Sequence, residues 1–389
     1  MRAPGRANWV LPFSMFLGTF AWSFVYVSLP FHIQRMSTGD TAATLRWTGW
    51  ILGISPLVTV VTAPISGRIG ERIDPKRGFI SVQAFQGVGF FLMALSRTLP
   101  ELFVARLLLG LMGAVSTFAF IMVGRSARDV RRGVSAIQSG MTLGQVVGPA
   151  AGAVVAARLG FRLSFVLAGL MLWGCSLLVA WGVPGGSSAR TEDARERRAS
   201  VREMLTVCLL VLAGSTQVFF LTAILPQILP PLGVAPEATL EVGGFLIFAT
   251  GMAAALGSMA APRLGELLGD RRVVPWFLAG ASAFLGSLAL AGSVWTFGAL
   301  RFLQVLCIAP VFPLSVAAIA QRASGEAIGF VNSSRIGAAF LGPVLATTLL
   351  AWMPAAGVYL VLAALGLALL PLVLRLTPPR GHSREGAAP

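Results

Sequence analysis

Long apolar runs separated by short polar stretches dominate this chain. Each run has roughly 20 residues, and a helix rises about 1.5 Å per residue, so each is long enough to cross the hydrocarbon core of a bilayer. The runs cover residues 9–31, 46–66, 78–96, 100–123, 134–157, 161–182, 204–229, 240–261, 274–293, 296–320, 328–352 and 355–374. The pattern predicts an all-α membrane protein with twelve transmembrane helices.

The predicted helices form two similar sets of six. Three residues of the first set recur 195 positions later in the second: Gly49, Glu71 and Arg106 return as Gly244, Glu266 and Arg301. The repeat predicts two pseudo-symmetric six-helix bundles, at 1–183 and 204–376. A cytoplasmic linker is expected over 184–203 and a disordered tail over 377–389. Parallel repeats of this kind are typical of transporters whose pathway lies between the halves.

Composition and charge agree with a membrane location. Hydrophobic residues make up 56% of the chain and charged residues 12%, against about 25% charged residues in soluble domains. The predicted loops on one side carry 22 Lys and Arg residues, and those on the other side carry five. This asymmetry predicts a multi-pass membrane protein with both termini in the cytoplasm. The membrane is expected to be a bacterial inner membrane. The net charge of +15 is therefore interpreted as a topology and lipid-headgroup signal, not as a nucleic-acid surface.

Residues for catalysis or metal binding are scarce. The three cysteines, Cys175, Cys208 and Cys307, fall within apolar runs, and the two histidines lie at a helix end and in the tail. We expect no metal and no cofactor. A membrane enzyme or sensor would need a catalytic cluster or an attached soluble domain, and the sequence suggests neither.

A stripe of glycines marks the fifth predicted helix. Gly140, Gly144, Gly148 and Gly152 are spaced four apart, and Pro149 interrupts the hydrogen bonds of the same helix. One-sided glycines let another helix approach to backbone contact. The stripe predicts either tight static packing or, as we favour, a smooth moving contact between the two halves.

Three arginines lie inside predicted membrane helices, where a charge normally faces the bundle interior or a water-filled cavity. Arg335 is the deepest, whereas Arg106 and Arg301 are close enough to a helix end to extend toward water instead. Further candidates for contact with a small-molecule substrate are Trp22, Tyr26, Gln138, Gln217, Gln304 and Asn332. Each glutamine could equally tie helices together by hydrogen bonds.

Several motifs resemble those of the major facilitator superfamily. The helix 5 segment from Gly144 to Gly152 resembles the antiporter motif of the superfamily's twelve-helix drug/proton antiporters, with Ala153 where a second glycine is usual. Arg106 followed by Gly110 and Gly113 is similar to their helix 4 motif. The segment from Gly67 to Arg77 resembles the superfamily's loop signature, although Glu71 replaces an aspartate and Asp74 a glycine.

The resemblance implies a major facilitator fold and transport by alternating access. It also implies that Gly67, Glu71, Arg72 and Arg77 form a cytoplasmic latch between helices. Without the resemblance, the basic residues of this segment could serve only to set the topology of the protein in the membrane.

No acidic residue falls deep within a predicted helix, so proton coupling would have to use acids at helix ends or in loops, such as Asp40, Glu71, Glu101 or Glu241. We expect a monomeric, proton-coupled exporter of amphipathic neutral or anionic molecules, surrounded by membrane lipids. The alternative is an organic-anion or lipid carrier of the same fold without proton coupling.

Overall fold

The computed structural model describes residues 7–113, 115–126, 130–183, 201–268, 270–320 and 325–375. Side chains at 63–64 and 66–72, and a few next to the gaps, lie outside this description. All regular structure within the described ranges is helical. The predicted linker and tail fall outside them.

Eight helical segments form the first half of the chain. They are α1 (Ala7–Tyr26), α2 (Ser28–Met36), α3 (Thr41–Arg72), α4 (Pro75–Leu95), α5 (Leu99–Leu111), α6 (Val115–Ser126), α7 (Val130–Leu159) and α8 (Phe161–Gly182). The second half contains eight more: α9 (Val201–Ile228), α10 (Thr239–Leu268), α11 (Asp270–Ser287), α12 (Val294–Ile308), α13 (Val311–Ala320), α14 (Gly325–Leu350), α15 (Ala355–Ala368) and α16 (Leu370–Arg375).

Eleven helical stretches built from described residues are long and apolar enough to cross a membrane. They correspond to eleven of the twelve predicted segments. The remaining segment, 46–66, lies within α3, a continuous helix of 32 residues whose side chains are described only in part. The prediction of an all-α membrane fold is confirmed.

Some predicted helices are broken in the middle. The fourth is divided into α5 and α6 around Gly113, and the tenth into α12 and α13 at Ala309 and Pro310. A break frees carbonyl groups that lipid cannot hydrogen-bond. Side chains of neighbouring helices supply the donors: Thr59 Oγ1 bonds the Gly110 carbonyl at 3.1 Å, and Ser258 Oγ bonds the Ala309 carbonyl at 3.5 Å.

The first predicted helix is also longer than expected. It breaks at Val27 and continues as α2 to Met36, beyond the predicted end at residue 31. Pro30 lies in the first turn of α2, where a proline has no helical hydrogen bond to lose.

Two helix pairs join the halves. The helix α3 packs against α14, and α7 packs against α10. At the first seam, a side chain on Gly49 would collide with Thr347 and Val344. At the second, a side chain on Gly244 would collide with Ala153. The repeat-related glycines Gly49 and Gly244 therefore lie at the two seams, where the partner helix leaves no room for a side chain.

Both seams lie toward one end of the bundle, which we name the closed end. The closed end is formed by the turns at 37–40, 96–98, 160, 229–238, 291–293 and 351–354. One hydrophobic cluster here includes Phe24 and Leu29 of the first half together with Phe220 and Leu229 of the second. Arg158 and Glu241 form an ion pair across the halves at 3.9 Å. The halves are thus in continuous contact at this end.

At the opposite end the buried clusters do not cross between the halves. Among the described residues, the cluster around Phe79 and Phe118 belongs wholly to the first half. The cluster around Leu278 and Val311 belongs wholly to the second. The two cores separate here, which leaves room for a cavity between them.

Candidate functional site

A cavity of about 400 Å³ lies between the two halves. The first half contributes residues of α1 and α7, and the second half contributes residues of α9, α10, α12, α13 and α14. Ligand sites in proteins typically have volumes of roughly 300 to 1,000 Å³. The cavity is thus large enough for a small organic molecule.

The cavity is elongated along the helix axes. Its wall follows α9 from Leu210 to Thr222 and α10 from Ile247 to Ser258. At about 1.5 Å per residue, each of these stretches is about 17 Å long. Tyr26 and Thr222 lie toward the closed end, and Leu210 and Ser258 lie toward the opposite end.

Most of the wall is apolar. Trp22, Phe219 and Phe312 contribute aromatic surface, and aliphatic side chains of both halves fill much of the rest. The polar lining residues are Ser23, Tyr26, Gln145, Ser215, Thr222, Thr250, Ser258 and Arg335. The described residues that line the cavity include one arginine and no acidic side chain. The described part of the wall therefore carries one positive charge on an apolar background.

Arg335 lies on α14 toward the end opposite the closed end. Gly337, two residues further along, faces Leu212 of α9, which places Arg335 near the level of Leu210. Its guanidinium carbon lies 5.7 Å from the centre of the Phe312 ring. The Nε atom is buried without a hydrogen-bond partner among the described residues.

Arg106 does not line this cavity. Its side chain is 3% exposed, Nε donates to the Ile51 carbonyl and Nη2 to the Leu52 carbonyl, both at 3.1 Å. The guanidinium carbon also lies 5.5 Å from the Trp22 ring centre. Arg106 therefore ties α5 to α3 instead of extending toward water.

Arg301 is also absent from the cavity wall. Its Nη1 and Nη2 atoms donate to the carbonyls of Gln217 and Val218, each at 2.7 Å. Nη1 also donates to Gln304 Oε1, and Gln304 Nε2 donates to Gln217 Oε1 at 3.3 Å. Gln217 and Gln304 thus join Arg301 in a network inside the second half.

The remaining candidates divide between the cavity and the surface. Trp22 and Tyr26 line the cavity. Trp22 Nε1 donates to Gln86 Oε1 at 3.1 Å, whereas the buried Tyr26 hydroxyl has no partner among the described residues. Gln138 and Asn332 are exposed and do not line the cavity.

Phe312 was not among the residues that we singled out from the sequence. It follows the break between α12 and α13 by two residues. The signal available in the sequence was Pro310, which marks an interruption but does not say which side chain is presented beside it.

The glycine stripe of α7 faces a helix of its own half. Side chains added at the four glycines would meet the backbone carbonyls of Pro12, Phe16, Phe20 and Phe24, in that order, on α1. The contact between the halves uses another face of α7, with Val146 beside Gly251 and with Pro149 and Ala153 beside Gly244. Our interpretation of the stripe as the contact between moving halves is thus wrong, because spacing shows that a close partner exists but not which helix it is.

The predicted latch is described only in part. Side chains of Glu71 and Arg72, and the surroundings of Gly67, lie outside the described residues, and Arg77 is exposed. Asp74 caps α4 by accepting a hydrogen bond from the Lys76 backbone at 3.1 Å. Lys76 Nζ donates to the Ala180 carbonyl at 2.8 Å. This stretch therefore begins α4 and fastens it to the end of α8.

A helical bundle with a cavity between its two halves is the architecture of a membrane transporter of small molecules. The sequence model of the Major Facilitator Superfamily matches residues 11–235 and 207–389. The chain belongs to this superfamily of transporters and is therefore a transporter, not an enzyme.

Known relatives agree with this assignment. The uncharacterized MFS-type transporter YuxJ of Bacillus subtilis (strain 168) is 26% identical over 333 residues, which cover 82% of this chain and 83% of the relative. The multidrug resistance protein MdtG of Proteus mirabilis (strain HI4320) is 22% identical, covering 78% of each chain.

Solved structures share the fold. The human organic anion transporter MFSD10 superposes with a TM-score of 0.70 at 17% identity, covering 96% of this chain and 100% of that one. The nucleoside transporter NupG superposes with a TM-score of 0.73 at 11% identity, covering 95% and 98%.

Proposed function

We propose that this protein is a monomeric secondary active transporter that exports amphipathic neutral or anionic small molecules in exchange for protons. The observation that carries the proposal is the cavity between two halves that share a core at one end only. Rocking of the halves about the cavity would close the second end and open the first. The relatives named as multidrug resistance proteins support the direction of transport.

The positive-inside pattern orients the molecule. The closed end carries the five loop arginines of the arginine-poor side, including Arg35, Arg97 and Arg158. On this basis the closed end faces the periplasm and both termini face the cytoplasm of a bacterial inner membrane. The state described is then open toward the cytoplasm, from which an exporter takes up its substrate.

Proton coupling would use acids outside the cavity wall. Asp40 accepts a hydrogen bond from the Ala43 backbone at 2.6 Å, and Glu101 accepts one from the Arg97 backbone at 2.8 Å. Glu241 pairs with Arg158. Each lies at the closed end, where its protonation could accompany opening. Glu71 is a further candidate on the cytoplasmic side.

Transport into proteoliposomes tests this proposal. A neutral lipophilic dye, its sulfonated analogue and its quaternary ammonium analogue are compared with and without a pH gradient. We expect protein-dependent accumulation of the first two, and its loss when an ionophore collapses the gradient. Robust transport of the quaternary ammonium dye, unchanged by Arg335→Gln, would contradict the proposed substrate preference.

The second candidate is an organic-anion or lipid carrier without proton coupling. The absence of an acidic side chain among the described lining residues favours it. This carrier would equilibrate the sulfonated dye at the same rate whether or not the pH gradient is present, and substrate binding would release no protons.

A further inference from the structure

The three arginines within membrane-spanning helices differ in their hydrogen-bond partners. Arg106 and Arg301 donate to backbone carbonyls of neighbouring helices. Arg335 makes no hydrogen bond to the described residues, and its guanidinium carbon lies 5.7 Å from the centre of the Phe312 ring. Its side chain is half-buried, its Nε atom is buried without a partner, and an unpaired cation beside a largely apolar cavity is unfavourable unless a ligand supplies the partner. Arg335 is therefore the one of the three that has no hydrogen-bond partner among the described residues.

The surroundings of Arg335 limit what that partner can be. Phe312 stacks near the guanidinium group, which leaves the N–H groups at its edge for another ligand. A planar guanidinium donates two parallel hydrogen bonds to a carboxylate, sulfonate or phosphate. The positive charge of Arg335 would repel a cationic group, and no acidic side chain among the described lining residues offsets that charge.

The rest of the cavity suits an apolar chain. From the level of Arg335 it extends about 17 Å toward the closed end along Val218 and Ile247. Trp22 and Phe219 present aromatic surface along the way. Burial of a chain there is favourable by about 0.8 kcal/mol per methylene group removed from water.

We propose that the substrate is a single-chain amphiphile with one anionic head group. The head group binds Arg335 near the end of the cavity opposite the closed end, and the apolar chain extends toward Tyr26. This inference rests on the proposed function and adds to it a charge, a shape and an orientation for the substrate. Simple inorganic or short organic anions lack the chain and bind weakly.

Four radiolabelled probes test the inference on protein in lipid nanodiscs, with empty nanodiscs subtracted. They are octanesulfonate, octanol, octyltrimethylammonium and methanesulfonate. Wild-type protein is expected to bind octanesulfonate at least about tenfold more tightly than octanol, as two charge-assisted hydrogen bonds allow. Methanesulfonate and octyltrimethylammonium should bind more weakly still.

Variants assign the selectivity to one side chain. Arg335→Gln should weaken octanesulfonate binding by at least about tenfold while leaving octanol binding within about threefold. Arg335→Lys should retain part of the preference, because it keeps the charge but loses the planar fork. Asn332→Ala, one turn away on the exposed side of α14, is the matched control and should change neither. Folding of each variant is checked by gel filtration and thermal unfolding.

Equal binding of octanesulfonate and octanol by wild-type protein would overturn the inference, and so would an octanesulfonate preference that survives in Arg335→Gln. Methanesulfonate binding as tight as that of octanesulfonate would show a site for simple anions and also overturn it. Because wild-type selectivity is measured without any variant, the test holds even where Arg335→Gln fails to fold. Selective binding without transport in proteoliposomes would contradict the proposed function alone.

Discussion

Arg106 donates to the carbonyl of Leu52 at 3.1 Å, and that carbonyl is the one that Pro56 leaves free. In a helix the carbonyl of Leu52 would accept from the N–H of the residue four positions later, and proline has no N–H. The arginine thus replaces a missing backbone donor inside the membrane, where water cannot do so.

This relationship predicts that replacing Pro56 recovers part of the stability lost when Arg106 is replaced. Arg106→Leu should lower the free energy of unfolding by about 1–3 kcal/mol, because the Leu52 carbonyl becomes buried and unsatisfied. Pro56→Ala restores the backbone donor and should recover part of that loss in the double variant. Thermal unfolding in detergent measures both. Arg46→Leu, which replaces an exposed arginine of α3, is the control. Purely additive losses in the double variant would contradict the explanation.

Replacing Arg301 and replacing Arg335 should affect the stability of the protein differently. Arg301→Leu removes the donors to Gln217, Val218 and Gln304, and we expect a loss of about 1–3 kcal/mol or more in unfolding free energy. Arg335→Leu removes a charge that has no described partner, so stability should be unchanged or higher. The two midpoints of thermal unfolding are compared directly. Equal destabilisation by both variants would show that Arg335 is structural.

The glycine stripe should be sensitive to a single methyl group. Gly152→Ala directs a Cβ atom into the Phe24 carbonyl of α1, and overpacking of this kind costs about 1–3 kcal/mol. Gly174→Ala on α8 is the control, because nothing lies within 4 Å of the added Cβ atom. We expect the control to leave the thermal midpoint unchanged or raise it. Tolerance of Gly152→Ala would contradict the described packing of α1 on α7.

Gly244 should control closure between the halves and not the folding of either half. Gly244→Val inserts a side chain into Ala153 across the seam, which should favour separation at the closed end. Spin labels at Leu159 and Glu237, on opposite halves of that end, would report a longer distance than in the wild-type background. Gly292→Val, at the same end but with open space around it, should leave the distance unchanged. An unaltered distance in Gly244→Val would refute this role.

The ion pair between Arg158 and Glu241 should contribute little to stability. The two side chains are 75% and 37% exposed, and exposed pairs of this kind contribute about 1 kcal/mol or less. Glu241→Gln should therefore shift the thermal midpoint only slightly, and the shift should disappear at high salt. A large shift that persists in salt would show that Glu241 has another, buried partner.

The fold could be predicted because it is determined by patterns within the sequence itself, which span whole helices or whole halves of the chain. Apolar runs of membrane-spanning length and a repeat of 195 residues are visible without knowledge of any contact. The breaks at Val27 and Gly113 were not predicted. The break at Gly113 depends on a donor from another helix, because Thr59 of α3 donates to the Gly110 carbonyl.

The hydrogen-bond acceptors of the arginines could not be predicted from the sequence for a related reason. Arg106 is separated from its backbone acceptors by 54 and 55 positions, and Arg301 is separated from its backbone acceptors by 83 and 84. Every backbone carbonyl along α3 or α9 is chemically alike, so sequence indicates that an arginine needs an acceptor but not which one. The cavity position of Arg335 agrees with its depth in the sequence. Phe312, beside it, had no comparable signal.

Arg335 has no counterpart in the first half. The local repeat of 194 residues that aligns Gly148 with Gly342 aligns Arg335 with Met141. The charge thus breaks the twofold symmetry of its own scaffold. A molecule bound to this charge can adopt only one orientation in the cavity. The polar end of that molecule must move with the second half whenever the two halves change position.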